Sequence, residues 1–106
     1  MKHKRTRALE ISKVVKDRVY ERDGRRCIYC GSLSGLPEAH YIPRSLSGLG
    51  VEENVLTLCR RCHDVFDNGT APQRQEMRDF FAWYLGGKYL DWNEADLVYR
   101  KGTEQC

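Results

Sequence analysis

Four of the five cysteines fall into two C-x-x-C pairs, Cys27/Cys30 and Cys59/Cys62, with 28 residues between the inner members. Thiolates separated by two residues in a turn can both reach one ion at about 2.3 Å, and two such pairs complete a closed tetrahedral zinc site. Four sulfurs leave no open position, so the metal is expected to be structural. The competing readings are reduced thiols or two disulfides; the paired spacing favours metal. Cys106 has no partner in the sequence and stays outside the site.

Such a staple suits a chain of this size. The 106 residues fit one domain, and 41% hydrophobic against 31% charged residues predicts a thin core. The first residues, MKHKRTRALEISK, contain no apolar run long enough for a signal peptide, and no stretch approaches transmembrane length. A cytoplasmic protein with no membrane contact is expected. Net charge is unevenly placed: residues 1–26 hold ten Lys/Arg and four Asp/Glu, a net +6, whereas the remainder nets −3. A basic front end fits contact with a polyanion, or a solubilising arm.

Residues 1–11 read as a flexible basic arm. Ser12 can cap a helix through KVVKDRVYER, stopped by Asp23-Gly24. RRCIYCGS reads as a metal knuckle, LPEAHYIPR as a short strand closed by Pro43, and VLTLC as the return of the apolar chain. RRCHDVFDNG predicts a short helix ended by Asn68-Gly69. Pro72 opens a longer helix whose Met77, Phe80, Phe81, Tyr84 and Leu85 form a core-facing stripe, with Gly86-Gly87 as its expected end. Asn93 can cap a last short helix through EADLVYRK, and residues 102–106 form a tail.

With the sulfurs occupied, His63 and Asp67 remain. At i, i+4 on a helix both project from one face, and together they make half of a divalent-metal site with open positions. The plainer reading is a short-range pair that caps or orients the knuckle. His40 shifts the balance. It stands at the end of the short strand, before Pro43, a Gly/Ser-rich loop, Asn54 and then L-C-x-x-C-H. In ERDGRRCIYCG, AHYIPRSLSGLG, EENVLTLCRRCHDVFD and YLDWNEADLVYRK the chain resembles the HNH nucleases, small phage-type members in particular, over about residues 12–101.

The resemblance implies an α+β fold: a zinc-stapled ββα-metal (His-Me finger) core with flanking helices, filling 12–101. It implies His40 as the general base, a task that suits a group titrating near neutrality. Asn54 would hydrogen-bond loop backbone and so fix His40, while His63 would bind a catalytic divalent ion. One departure stands out. Many relatives carry Asp or His just before the base, where this chain has Ala39; Asp67 is expected to join His63 as ligand, and Glu38 is the less favoured substitute. Mg²⁺ or Mn²⁺, which keep several waters, suit such a site. Arg44, Arg60 and Arg61 are candidate phosphate contacts or solvated surface charge, while Trp83 and Trp92 could stack on bases but are read as core or edge packing.

By this likeness the chain is a metal-dependent DNA endonuclease that nicks one strand per event. A monomer has one site, so a double-strand break needs two nicks or a weak dimer. The family's phage members place such a protein beside the terminase in genome packaging. The competing reading is a catalytically weak, zinc-stapled nucleic-acid-binding module, which Ala39 keeps open.

Overall fold

A computed structural model describes residues 3–101; the expected tail, 102–106, with Cys106, lies outside them. Six elements organise the chain: α1 (Lys4–Leu9), α2 (Lys13–Arg22), β1 (Leu36–His40), β2 (Val55–Leu58), α3 (Arg60–Asn68) and α4 (Ala71–Lys88). Three 3₁₀ turns, Arg44–Leu46, Glu52–Asn54 and Glu94–Leu97, complete it. This is a small α+β protein in which β1 and β2 pair antiparallel and α3 follows β2 directly.

The local signals explain most of the element ends. Ser12 Oγ accepts from the Val15 amide at 3.2 Å and starts α2, and Asp23-Gly24 stops it, with Gly24 at a φ of 71°. Cys59 Sγ accepts from the Cys62 amide at 3.4 Å, so a metal-ligand candidate also caps α3. At the start of α4, Thr70 and Gln73 exchange side-chain bonds to each other's backbone N–H, and Pro72 occupies the first turn, where a missing N–H costs nothing. That helix runs through Gly86-Gly87 to Lys88, past its expected end. Its last turn is held because the Tyr89 amide donates to Leu85 O and the Tyr89 ring packs beneath Arg22.

The sheet is buried completely on the β2 side, where Val55, Leu56, Thr57 and Leu58 are all inaccessible. Leu56, Leu58 and Phe66 meet Met77, Phe81 and Leu85 of α4, with Phe66 and Phe81 edge to face at 4.9 Å between centroids. The expected apolar stripe of α4 therefore faces the core, with Phe80 and Tyr84 at its margin. Trp92 is half-buried and donates its indole N–H to Glu53 O at 2.8 Å. Trp83, in contrast, is 72% exposed and meets Phe80 with ring centroids 5.8 Å apart, so it packs at the edge and not in the core. Among the described residues no helix is long and apolar enough to cross a membrane.

Two further expectations are corrected. Residues 3–11 are not a loose arm: they contain α1, and Leu9 is buried to 1% exposure. One apolar anchor in a basic segment is too weak a pattern to read, because the docking runs through backbone atoms. The expected helix EADLVYRK forms only a 3₁₀ turn and then extends, since Leu97 O accepts from Leu49 N and Tyr99 N donates to Ser47 O. The Ser47–Leu49 loop thus offers Val98 and its neighbours the ladder partners that a helix would forgo.

Candidate metal centre and nucleic-acid cleft

The four cysteines converge. Their Sγ atoms all lie within 4.8 Å of one another, and Cys30 and Cys59 sulfurs are 3.6 Å apart. A tetrahedron with metal–sulfur distances of about 2.3 Å has sulfur edges of about 3.8 Å, so the cluster has the dimensions of a closed structural site and could hold an ion such as zinc. All four are free thiols. Each pair adds a backbone bond to sulfur, Cys30 N to Cys27 Sγ at 3.5 Å and Cys62 N to Cys59 Sγ. Gly31, just past the first pair, has a φ of 82°, the left-handed turn that lets the knuckle close.

Thiol acidity within the cluster is split. Burial opposes ionisation of Cys27, but hydrogen bonds from the backbone of Cys30, Cys59 and Tyr29 outweigh it and bring the group down to about 7. Burial pushes the Cys62 thiol far up, and the neighbouring sulfurs of Cys59, Cys30 and Cys27 push it further. Four sulfurs at this spacing cannot all ionise without a cation among them, which fits a metal to the donor set.

A second site opens beside α3, where a cleft of about 540 Å³ is lined by residues of four segments. Glu38 and His40 come from β1, Pro43 and Arg44 from the turn after it, His63 and Asp67 from α3, and Glu10, Ile11 and Lys16 from the N-terminal region. His63 Nε2 lies 3.4 Å from an Asp67 carboxylate oxygen, as expected for i, i+4 on one helix face. The only group of three or more potential ligands within reach of one ion, among the described residues, is the cysteine cluster. In the cleft, His63 and Asp67 of α3 are therefore a pair and not part of a larger ligand cluster among the described residues.

His40 is half-buried, and its Nε2 lies 2.9 Å from the carbonyl oxygen of Leu9. A carbonyl can only accept, so Nε2 carries the hydrogen and the neutral ring keeps its lone pair on Nδ1. Burial lowers the pKa of this ring below 6.5; the Leu9 bond opposes that, and the nearby charges of Arg44 and His63 add to it.

Asn54 is fully buried behind the cleft. Its Oδ1 accepts from Ile42 N at 2.8 Å, and its Nδ2 donates to Ile42 O at 3.1 Å and Leu49 O at 2.8 Å. One amide thus clasps both ends of the loop that follows His40. Asn54→Ala strands the Ile42 N–H and the Leu49 carbonyl without partners and should cost at least about 2 kcal/mol, read from the midpoint of urea unfolding.

Of the three arginines singled out, Arg44 lines the cleft. Arg60 and Arg61 are exposed on the first turn of α3, and Arg61 borders a separate hollow with Tyr29, Cys30 and Glu76. Sequence reasoning passed over Glu10 and held Glu38 only as the less favoured ligand. The pairing register runs Leu36 to Leu58 but Ala39 to Leu56, so β1 carries one extra residue at Pro37–Glu38. Past the bulge Ala39 is fully buried and Glu38 shares the cleft side with His40, where Lys16 Nζ approaches it at 3.5 Å. Strict alternation from His40 places Glu38 there, away from Ala39. No protein-family model and no curated protein matches this chain.

Proposed function

We propose that this chain is a metal-dependent DNA endonuclease of the HNH type, with the β1–β2 hairpin and α3 as its ββα-metal core. The observation that carries the reading is the convergence of His40, His63 and Asp67 on one open cleft from β1 and α3, the latter tied at its start to the cysteine cluster. His63 and Asp67 would hold a hard divalent ion, Mg²⁺ or Mn²⁺, as an imidazole and a carboxylate with room left for water and phosphate. When bound, that ion supplies Lewis acidity for the charge that develops on the phosphate and the leaving 3′ oxygen. The chain's own residues do the rest. His40 Nδ1 takes the proton of the attacking water, Arg44 at the cleft rim meets a phosphate, and Asn54 keeps the loop between them from drifting.

One site per chain fits nicking of single strands. A role beside a phage terminase belongs to the same proposal and rests on the family resemblance alone. The competing reading, a zinc-stapled DNA-binding module without turnover, draws on Ala39, whose methyl group points into the core and offers no ligand. Relaxation of supercoiled plasmid separates the two. The nuclease reading expects open-circular product with Mn²⁺ and none with EDTA, whereas the binding module retards DNA but leaves it intact. Asp67→Asn keeps the side chain's size and weakens an oxygen ligand; it should raise the Mn²⁺ concentration needed for half-maximal nicking about tenfold.

A further inference from the structure

The N-terminal segment does more than cover apolar surface, since among the described residues it supplies the hydrogen-bond partner of the His40 ring. Three kinds of contact fix that segment. Leu9 is sunk in the core, and Ala8 O accepts from Gly50 N at 3.0 Å. Arg5 Nη2 donates to Arg44 O at 3.1 Å and to Ser47 Oγ at 3.3 Å. The approach to Gly50 is so close that a Cβ there would lie 2.0 Å from Glu10 O. Residue 50 must be glycine for the strap to sit where it does. Anchored on both sides of Leu9, the carbonyl cannot turn away from His40 without breaking a neighbouring contact.

We propose that residues 4–11 are a positioning strap for the candidate base: Leu9 O holds His40 as the Nε2–H tautomer, so that Nδ1 alone is left to accept a proton. In catalysis the water's O–H proton moves to Nδ1 while Nε2–H stays bonded to Leu9 O. The resulting hydroxide attacks phosphorus as the P–O bond to the 3′ oxygen breaks; that oxygen leaves with the bonding pair and takes a proton from solvent water. Without the strap the neutral ring divides between two tautomers and two orientations, and the lone pair faces the water only part of the time. Leu9, Gly50 and Arg5 are positioning residues in this scheme; none of them touches substrate. The proposal rests on the nuclease reading for its consequence in turnover, but not for the tautomer itself.

The test is long-range ¹H–¹⁵N correlation of the histidine rings in the full chain, with His40 assigned by its loss in His40→Gln. At about pH 8, where an ordinary imidazole is neutral, wild type should show His40 as a single Nε2–H tautomer. Gly50→Ala, which forces the strap off, should average its two ring nitrogens and lower kcat for plasmid nicking about 10²-fold with KM within about twofold. Leu9→Ala reaches the same strap by another route and covers the case in which Gly50→Ala fails to fold. A wild-type ring protonated on Nδ1, or already averaged, overturns the proposal. So does a tautomer unchanged in a variant that folds. If the tautomer behaves as expected but no protein nicks DNA, the strap stands and the nuclease reading is what fails.

Discussion

Replacement of Cys62 by serine is expected to leave the chain without a cooperative unfolding transition. Cys62 stands at the junction of the cysteine cluster, α3 and the core: it is 5% exposed, its sulfur meets those of Cys27, Cys30 and Cys59, and its amide caps α3 on Cys59 Sγ. A structural zinc in a small domain contributes on the order of 10 kcal/mol to folding, comparable with the whole stability of a domain this size. Losing one thiolate from a closed four-sulfur site removes most of that. The hydrophobic contribution alone is thin, because three of the twelve residues of the buried cluster are cysteines of the site itself. Atomic absorption on purified wild type should give close to one zinc per chain. Circular dichroism should show Cys62→Ser largely unfolded, and a strong chelator should drive wild type the same way. A serine variant that unfolds cooperatively within about 2 kcal/mol of wild type would mean that the cluster is not a staple.

The second large effect concerns chemistry. His40→Ala should lower nicking by about 10³-fold, within the range that a positioned general base contributes, while leaving zinc content and fold intact. Stability should suffer little, since the ring is half-buried and makes one hydrogen bond, to Leu9 O. The pH dependence carries a sign. Burial first, then Arg44 and His63, lower the His40 pKa below 6.5, so the ring stays neutral to a more acid pH than a free histidine would. Activity limited by this base should be level above 6.5 and fall only below it, as His40 protonates. Stability follows the same direction. A depressed histidine pKa means that the unfolded chain binds the extra proton first, so the contribution is complete above 6.5 and declines as pH falls from there toward the folded-state pKa. An acid limb for wild-type nicking centred clearly above 6.5 would assign the rate to another group.

The elements that could be read from the sequence were those specified by side chains close together in the chain. Ser12 announces α2, Pro72 announces α4, and the run from Val55 to Leu58 announces the buried strand; the two C-x-x-C pairs announce the cluster. His63 and Asp67 share a helix face and so could be paired from spacing alone. What remained illegible depends on backbone meeting backbone at long range. The strap before residue 12 docks through Ala8 O and Gly50 N, 42 positions apart, and a basic sequence with one leucine gives no hint of it. The bulge at Pro37–Glu38 is likewise a property of two strands, not of one. It shifts Leu36 against Ala39, while plain alternation from His40 turns Glu38 to the cleft and Ala39 to the core. Trp83 stays at the edge for a related reason, since it falls off the face that α4 turns to the sheet, and aromatic character alone does not bury a side chain.

The proposed nuclease works through one open cleft beside α3, with His40 as base. Its most direct measurement is relaxation of supercoiled plasmid by zinc-loaded wild type and by zinc-loaded His40→Ala, each with Mn²⁺ and with EDTA. The account predicts nicked circles from wild type with Mn²⁺ only, and next to none from the variant at equal zinc content. Equal nicking by the two proteins, or none from folded wild type with any divalent ion, would contradict it.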